Sequence, residues 1–390
     1  MKEILQKVIY DLPSPAFVCE EELLLNNLKL LQKVKDQSGV KILLALKGFS
    51  LYDTFDMCKK YLDGCCASGL HEAKLSYQEF GKLTHTFSPA FTDDEIDEIL
   101  DISDTIVFNS FNQSQKYHQK AVQKDVKIGL RINPEVSTVD VELYNPCGIY
   151  SRLGITKKEF DKELKSNLKI LEDVSGLHFH ALCEQNVDAL EMVLEKFEAN
   201  FSQYFGQLKW LNFGGGHHIT REDYDVDRLI VVLKEFKSRY PHLQIFLEPS
   251  EAIGWQTGYL KSTIIDIVHN DIDIAILDVS AETNMPDTLA MPYKADVRNS
   301  KNIKDDTHRY LYRLAGNSCL AGDVMGDYYF DKKLNIGDEI IFEDMIHYTM
   351  VKTTTFNGIR LPSIVIKRLD GEFELVKEFG YSDYKSRLGR

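Results

Sequence analysis

Short apolar runs alternate with segments of helical periodicity over the first two thirds of this chain. The segment 21–35 repeats leucines at helical spacing and predicts a helix, and polar segments with helical periods follow most of the runs. The runs predict eight buried strands: KILLAL (41–46), GCCA (64–67), THTFSP (84–89), DTIVFN (104–109), VKIGLRIN (126–133), VSGLHFHAL (174–182), KWLNFG (209–214) and LQIFLE (243–248). Eight strand–helix units in roughly 230 residues favour a TIM-like (β/α)8 barrel of parallel strands. An open doubly wound sheet is the alternative.

The pattern changes beyond residue 255. Short β-rich segments follow one another with few helical periods between them, among them STIIDIVHN, IDIAILDVS, RYLYRLAGNS, DEIIFED and SIVIKRL. They predict a second, mainly antiparallel, β-barrel-like domain. The leading KVIYDLPSP is expected to add a strand to it. We therefore predict a barrel domain over 18–255 and a discontinuous β domain over 1–17 and 256–390.

Composition describes a globular chain and narrows its partners. The 390 residues are 44% hydrophobic and 27% charged, with a net charge of −14, which argues against nucleic acid and anionic membranes as partners. No run approaches the ~18 apolar residues of a membrane span, and the N-terminus does not resemble a signal peptide. The seven cysteines are scattered without a metal-binding CxxC pair, so we expect free thiols in the cytoplasm and no metal.

Four features at predicted strand ends suggest one site. Lys47 closes the apolar run ILLAL, where its charge is costly unless it is lost or used. His180, Gly214–Gly216 and Glu248 lie near the ends of the sixth, seventh and eighth strands. The carboxyl ends of barrel strands meet at one mouth, so these residues are expected to converge there. A desolvated lysine suits a Schiff base, triple glycine a phosphate, and a carboxylate a pyridinium nitrogen, which suggests pyridoxal phosphate.

Each feature alone has an ordinary explanation. Lysines usually extend to solvent, triple glycines form turns, and a glutamate before proline often ends a strand in water. A histidine inside a strand is more often structural than functional. Of the two in GLHFHAL, His180 is the candidate, and His178 is ranked as the weaker one.

Taken together, ALKGF, GLHFHAL, NFGGG, EPSEA, GNSCLAGD and MIHYT resemble motifs of the alanine-racemase-like (fold type III) decarboxylases that use pyridoxal phosphate. The resemblance to this ornithine/diaminopimelate decarboxylase family extends over nearly the full chain. The resemblance implies that Lys47 carries the cofactor and that His180 stacks on its ring. It further implies that Gly214–Gly216 and Tyr348 bind the phosphate, and that Glu248 binds the pyridinium nitrogen.

The resemblance also implies that Cys319 of GNSC returns a proton to Cα, from the neighbouring subunit of a homodimer. ALKGF, GGGHH, MPDTLAMPYKAD and SCLAGD are most similar to the polyamine branch of the family. That branch implies removal of the α-carboxylate of carboxynorspermidine or carboxyspermidine in spermidine-type biosynthesis. Two departures, Ser250 in place of the usual glycine and Leu44-Ala45 before the lysine, weaken an assignment to ornithine or diaminopimelate decarboxylases more than they weaken the chemistry.

Acidic residues in the motif segments are the candidates for binding the amines of a polyamine-type substrate. They are Glu251, Glu282, Asp287 and Asp323. We prefer Glu251 and Asp287, which lie in motifs shared with the polyamine branch, although most acidic residues are simply solvated.

Other functions stay open. Diaminopimelate decarboxylase would need an arginine for the distal carboxylate of its substrate, and Arg152 and Arg298 are the candidates. A racemase is disfavoured because the related racemase places an arginine where this chain has Glu248. A non-catalytic homologue that binds cofactor or protein would have no physical need for Lys47, Glu248 and Cys319 together.

Overall fold

The structure, a computed structural model, describes residues 12–139, 141–291 and 293–390. It divides into two compact units. One comprises Leu25–Ile253, and the other combines Met1–Leu24 with Gly254–Arg390. Within the described residues, no helix has both the length and the apolar composition needed to cross a membrane.

The first unit is a closed barrel of eight parallel strands. Its strands are β2 (Lys41–Ala45), β3 (Gly64–Ala67), β4 (Leu83–Ser88), β5 (Thr105–Phe108), β6 (Lys127–Arg131), β7 (Val174–His178), β8 (Trp210–Asn212) and β9 (Gln244–Leu247). The barrel closes where β9 pairs with β2, with Ile42 opposite Leu247. The predicted TIM-like barrel is confirmed, and the open doubly wound alternative is wrong because the two outer strands pair.

Helices follow the strands, as the helical periods predict. The α-helices of this part of the chain are α1 (Glu21–Ser38), α2 (Phe55–Tyr61), α3 (Leu70–Leu75), α4 (Ile96–Ile102), α5 (Phe111–Gln123), α6 (Lys157–Ser166), α7 (Val187–Phe201), α8 (Val226–Arg239) and α9 (Glu251–Gly254). Short 3-10 helices lie at Tyr52–Thr54, Glu142–Tyr144, Leu168–Leu171 and Ser202–Gln207, and a short π-helix lies at Ser76–Phe80. The apolar faces of α7 and α8 are buried, which explains their leucine and phenylalanine spacing.

A packed core occupies one layer of the barrel. Buried residues from five strands form this cluster: Leu43, Ala45, Cys66, Val107, Trp210 and Phe246. The large Trp210 ring fits because glycines face it from the two preceding strands. A Cβ at Gly176 would lie 2.1 Å from the Trp210 ring, and one at Gly129 would lie 2.4 Å from it. Small residues opposite a large one are how a barrel interior is filled.

The second unit is built around a nine-stranded sheet. Its strands are β1 (Ala16–Glu20), β10 (Gly258–Asn270), β11 (Ile272–Leu277), β12 (Ser300–Lys301), β13 (Tyr310–Ala315), β14 (Val324–Phe330), β15 (Glu339–Glu343), β16 (Ser363–Lys367) and β17 (Phe373–Lys377). Its helices are α10 (Ala281–Asn284), α11 (Asp287–Ala290) and α12 (Tyr381–Ser386), with a 3-10 turn at Phe356–Gly358.

The sheet runs in the order β12-β14-β13-β11-β10-β1-β16-β17, and β15 pairs with β10. It is mixed, because β1 pairs with β16 in parallel and β11 pairs with β13 in parallel, while its other pairs are antiparallel. The mainly antiparallel domain predicted from the sequence is confirmed. Of the strand predicted in KVIYDLPSP, residues 7–11 lie outside the described residues, and the strand of this region begins at Ala16.

Candidate active site in the barrel

Lys47 follows the buried end of β2. Ile42–Leu46 are buried, and the Leu46 N–H donates to the Cys66 carbonyl (3.0 Å), which fixes the backbone just before the lysine. Lys47 itself is exposed, yet the surrounding protein desolvates its ammonium. This desolvation and the positive charge of Arg131 lower the pKa of Lys47, while Cys66 and Glu248 act in the opposite direction. A lowered pKa increases the neutral fraction of the amine, as a nucleophile requires.

His180 lies two residues beyond the end of β7, not in the strand as predicted. Its Nδ1 accepts the Gly215 N–H (3.1 Å), so the proton of the neutral ring lies on Nε2. Burial, together with the charges of Lys47 and Arg131, holds the pKa of His180 well below its ordinary value. The ring is therefore neutral at physiological pH and is tied to the glycine loop.

The loop Gly214–Gly216 packs too closely for any side chain. Gly214 and Gly216 have positive φ (68° and 88°), and a Cβ at Gly216 would lie 1.9 Å from the Leu182 carbonyl oxygen. The Gly214 N–H donates to Asn212 Oδ1 (2.9 Å), and the Gly215 N–H is taken by His180. Close backbone packing thus requires these glycines, and two of their amides are already bonded within the barrel.

Glu248 follows β9 and is only 9% exposed. Asn212 Nδ2 donates to its Oε1 (2.5 Å), and His178 Nε2 lies 3.4 Å from its Oε2. Burial raises the pKa of Glu248, but His178, with His85 and Asn212, more than offsets burial, and the pKa is lowered from its ordinary value. The site therefore holds an ionised carboxylate, and its negative charge acts to raise the pKa of Lys47.

Three further residues belong to this site and were missed or ranked low from the sequence. His178 is the last residue of β7, and its Nε2 lies 3.4 Å from Glu248 Oε2. Both of its ring nitrogens are buried without a hydrogen bond in the described part of the chain.

Arg131 and Asn212 carried recognisable signals. Arg131 ends the apolar run VKIGLR just as Lys47 ends its own. It is 4% exposed, lies 4.5 Å from the Phe87 ring centroid, and donates through Nη2 to the His180 carbonyl (3.3 Å). Asn212 is a polar residue inside the apolar run KWLNFG and is fully buried.

Glu251 contacts a histidine of the GGGHH segment. Its Oε2 lies 3.1 Å from His218 Nε2, and with Glu184 they form a group whose potential ligand atoms all lie within 4.8 Å of one another. Two carboxylates and an imidazole suit a cation or an ammonium group. The predicted amine-binding residue Glu251 is therefore already held by His218.

The other predicted site residues belong to the sheet unit. Cys319 is exposed, and its N–H donates to Asn357 Oδ1 (2.7 Å). The Asp323 carboxylate is 3% exposed and accepts two backbone N–H groups, from Ala281 (2.7 Å) and Ser318 (3.0 Å). Asp323 thus holds the loop that carries Cys319 through Ser318 and joins it to the start of α10 through Ala281, so both carboxylate oxygens are engaged.

Asp287 and Tyr348 share one lysine. Lys352 is hydrogen-bonded to Asp287 and lies 5.4 Å from the Tyr348 ring centroid. Glu282 is half-buried on α10. Of the two arginines considered for a distal carboxylate, Arg152 is exposed.

The second of those arginines, Arg298, is already paired. Its guanidinium makes two hydrogen bonds to the Glu343 carboxylate, of 2.6 Å and 3.0 Å. Such fork-to-fork pairs are strong and directional. Arg298 is therefore engaged within the sheet unit.

The barrel residues fit pyridoxal phosphate. A lysine with a lowered pKa suits its aldehyde, a buried ionised carboxylate suits its ring nitrogen, and a tight glycine loop beside them suits its phosphate. Asn212 links the Glu248 carboxylate to Gly214, His180 bonds to Gly215, and the charge of Glu248 acts on Lys47.

Comparisons with known proteins agree with this chemistry. The family model described as pyridoxal-dependent decarboxylase, C-terminal sheet domain, matches residues 9–346. A carboxynorspermidine/carboxyspermidine decarboxylase of Campylobacter jejuni is 50% identical over 383 residues, which cover 96% of this chain and 98% of the relative. A carboxyaminopropylagmatine decarboxylase of Synechocystis is 46% identical over 379 residues, or 97% and 96% of the two chains.

A solved structure is also similar. The crystal structure of carboxynorspermidine decarboxylase from Campylobacter jejuni, complexed with norspermidine, superimposes with a TM-score of 0.89 at 48% identity. The match covers 96% of this chain and all of the other. Similarity at this level extends through both the barrel and the sheet unit.

Proposed function

Since this chain belongs to the pyridoxal-dependent decarboxylase family, we propose that it removes the α-carboxylate of carboxynorspermidine or carboxyspermidine. The products would be norspermidine or spermidine, the end of a polyamine-forming route. The observation that carries the proposal is the nearly full-length, 50% identity with the Campylobacter jejuni enzyme of that specificity.

Pyridoxal phosphate is the cofactor of this family, and residues 18–255 are our proposed cofactor-binding domain. When bound, it supplies an electron sink for the pair left on Cα as carbon dioxide departs. Lys47, His180, Gly214–Gly216, Glu248 and Tyr348 would hold it. The ionised Glu248 would accept a hydrogen bond from a protonated ring nitrogen and so would keep that proton in place. The lowered pKa of Lys47 gives it a larger neutral fraction, which would favour covalent attachment.

We propose that the enzyme is a homodimer and that the partner subunit's Cys319 returns the proton to Cα. The exposure of Cys319 supports this role, since a proton donor must be reached by the substrate. The seven cysteines, all among the described residues, form no disulfide, which supports a reducing compartment and hence the cytoplasm.

The acidic residues suggested for the substrate amines differ in their surroundings. Asp323 and Asp287 are engaged by backbone N–H groups and by Lys352, respectively. Glu251 lies in a group of two carboxylates around His218. We place Glu251 first among the amine-binding candidates because this group of two carboxylates and an imidazole suits an ammonium group, with Asp287, Asp323 and Glu282 after it.

A second candidate substrate is carboxyaminopropylagmatine. It is favoured by the 46% identity with the Synechocystis enzyme that bears this name. Its agmatine end carries a guanidinium in place of an amine, so the same carboxylate-rich groups suit it. Diaminopimelate is less well supported: of the two arginines considered for its distal carboxylate, Arg298 is held by Glu343 and Arg152 is exposed.

The deciding measurement is carbon dioxide release with added pyridoxal phosphate from carboxynorspermidine, carboxyspermidine, carboxyaminopropylagmatine and meso-diaminopimelate. We expect release from the first two, and none from a Lys47→Ala protein. Release only from carboxyaminopropylagmatine would move the assignment to the second candidate. Release only from diaminopimelate would overturn both.

The dimer is tested by mixing two inactive variants, Lys47→Ala and Cys319→Ala, after joint unfolding and refolding. Shared sites predict recovery of about one quarter of wild-type activity, because half of the dimers then hold one intact site. No recovery, with mixed dimers present by mass spectrometry, would contradict a partner subunit's cysteine.

A further inference from the structure

Asn212 bonds to two parts of the site at once. It is the last residue of β8 and is fully buried. Its Nδ2 donates to Glu248 Oε1 (2.5 Å), and its Oδ1 accepts the N–H of Gly214 (2.9 Å). One amide therefore links the candidate ring-nitrogen carboxylate to the first residue of the glycine loop.

The orientation of this amide is determined by its neighbours. The Gly214 N–H can only donate, so the Asn212 atom that faces it must be the carbonyl oxygen. The amino group then faces Glu248. In the reversed orientation, the Asn212 oxygen would face the Glu248 carboxylate, and its amino group would face the Gly214 N–H. These buried groups would then have no hydrogen-bond partner. The bonded arrangement thus requires Glu248 Oε1 to be an acceptor.

The backbone around Asn212 is fixed on both sides. Asn212 lies opposite His178 of β7 and Phe246 of β9. Beyond it, the Glu248 N–H donates to the Gly214 carbonyl (2.8 Å), so the loop and the carboxylate segment are also joined by backbone. The side chain therefore has little freedom to move away from Glu248.

We infer that Asn212 is a positioning residue. Its amino group holds the Glu248 carboxylate ready for the ring nitrogen of the cofactor, and its carbonyl oxygen accepts the N–H of Gly214 in the loop proposed to bind the phosphate. The inference rests on the proposed function, since it concerns the carboxylate that this function uses. It predicts that the amide donor, and not merely the shape of the side chain, is needed for cofactor binding.

The variant Asn212→Asp separates the two bonds. It keeps the acceptor for Gly214 but replaces the donor to Glu248 by a second carboxylate. At low pH the new carboxyl is protonated and can donate to Glu248 as the amide does. As pH rises it ionises, the two carboxylates repel, and the bond is lost.

The chain offers a matched control in Asn133. It is 4% exposed, follows β6, and its Oδ1 accepts the N–H of Glu135 two residues on (2.8 Å), as Asn212 accepts that of Gly214. Asn133→Asp makes the same chemical change and keeps the oxygen that accepts the N–H of Glu135, but it does not involve Glu248.

The experiment titrates each apo-protein with pyridoxal phosphate at about pH 6 and about pH 8.5, following the absorbance of the bound cofactor, with melting temperatures of the apo-proteins alongside. For Asn212→Asp we expect affinity about tenfold or more below wild type at the higher pH, and a smaller difference at the lower pH. Asn133→Asp should follow wild type at both. Equal behaviour of Asn212→Asp and wild type at both pH values would overturn the inference.

A Glu248→Gln protein distinguishes a failure of the proposed role of Glu248 from a failure of the inference about Asn212. If it binds cofactor and releases carbon dioxide as wild type does, the proposed role of Glu248 fails and the inference fails with it. If Glu248→Gln is impaired while Asn212→Asp is not, only the role of Asn212 fails. If Asn212→Asp is weakened equally at both pH values and its apo-protein melts early, its role is structural and the inference is wrong.

Discussion

Two cations at the ends of apolar strands determine the charge of the barrel site. Lys47 follows β2 and Arg131 ends β6, and Arg131 is buried against Phe87 without a carboxylate hydrogen-bonded to it among the described residues. Its positive charge lowers the pKa of Lys47, after desolvation the second cause of that shift. A permanent charge beside a lysine is a physical means of keeping the amine neutral.

We predict that Arg131→Met raises the pKa of Lys47, because it removes a positive charge that disfavours the protonated amine. Less neutral amine is then present at a given pH, so covalent attachment of pyridoxal phosphate to apo-protein slows several-fold at neutral pH. The rate, followed by absorbance from pH 6.5 to 9.5, should recover at higher pH than in wild type. Arg239→Met removes an exposed arginine paired with Glu198 and should leave the profile unchanged. Superimposable profiles for Arg131→Met and wild type would contradict the prediction.

Sequence reasoning found the residues whose chemistry is unusual for their position and missed those whose role lies in a contact. Lys47 and Glu248 interrupt or end apolar runs, so their cost is visible without a structure. Asn212 also interrupts a run, but its two partners are distant in sequence or hidden in a loop conformation. His178 is ranked below His180, and its contact with Glu248 depends on the barrel closing.

At the scale of elements, the apolar runs located the strands but not their ends. VSGLHFHAL predicts a strand to residue 182, whereas β7 ends at His178. Phe179, Ala181 and Leu182 stay buried beyond the last pairing, so burial continues after the hydrogen-bond ladder stops. A hydrophobic pattern records burial, and it therefore cannot show where the chain leaves the strand to bring His180 to the glycine loop.

The glycine loop should tolerate no side chain. We predict that Gly216→Ala lowers the free energy of unfolding by about 2–4 kcal/mol, because its Cβ meets the Leu182 carbonyl and its φ is positive. Gly206→Ala, in the 3-10 turn Ser202–Gln207 with open space around it, should change stability by less than about 1 kcal/mol. Urea unfolding of the apo-proteins measures both. Equal stability of the two variants would show that the loop can shift to accept a Cβ.

At the scale of the whole molecule, buried histidines make stability depend on pH. Burial lowers the pKa of His85 to about 4 and that of His217 to about 4, and burial also lowers the pKa of His178 and His180. The unfolded chain takes up protons near the ordinary histidine value of ~6.5, where the folded chain does not. The folded state is therefore favoured above that pH and loses stability as pH falls toward 4.

We predict that the apo-protein loses several kcal/mol of unfolding free energy between about pH 7 and about pH 5, since each buried histidine contributes up to ~1.4 kcal/mol per pH unit. His85→Leu should make this loss smaller, because one titrating group is removed. His269→Gln, at a largely exposed histidine, should not change it. Urea titrations at a series of pH values give the slopes, and identical slopes for His85→Leu and wild type would contradict the prediction.

The central place of β1 in its sheet has a consequence for how the chain is made. Phe17 pairs with Leu260 on one side and with Ile364 on the other, so a segment synthesised before the barrel strands waits for one synthesised after all of them. The barrel strands, from Lys41 to Leu247, are all present long before that. During synthesis β1 therefore has an unpaired edge and an apolar face, and chaperones that shield such edges matter most for this unit. A chain that ended before Ser363 would hold every strand of the barrel but would lack β16, one of the two neighbours of β1.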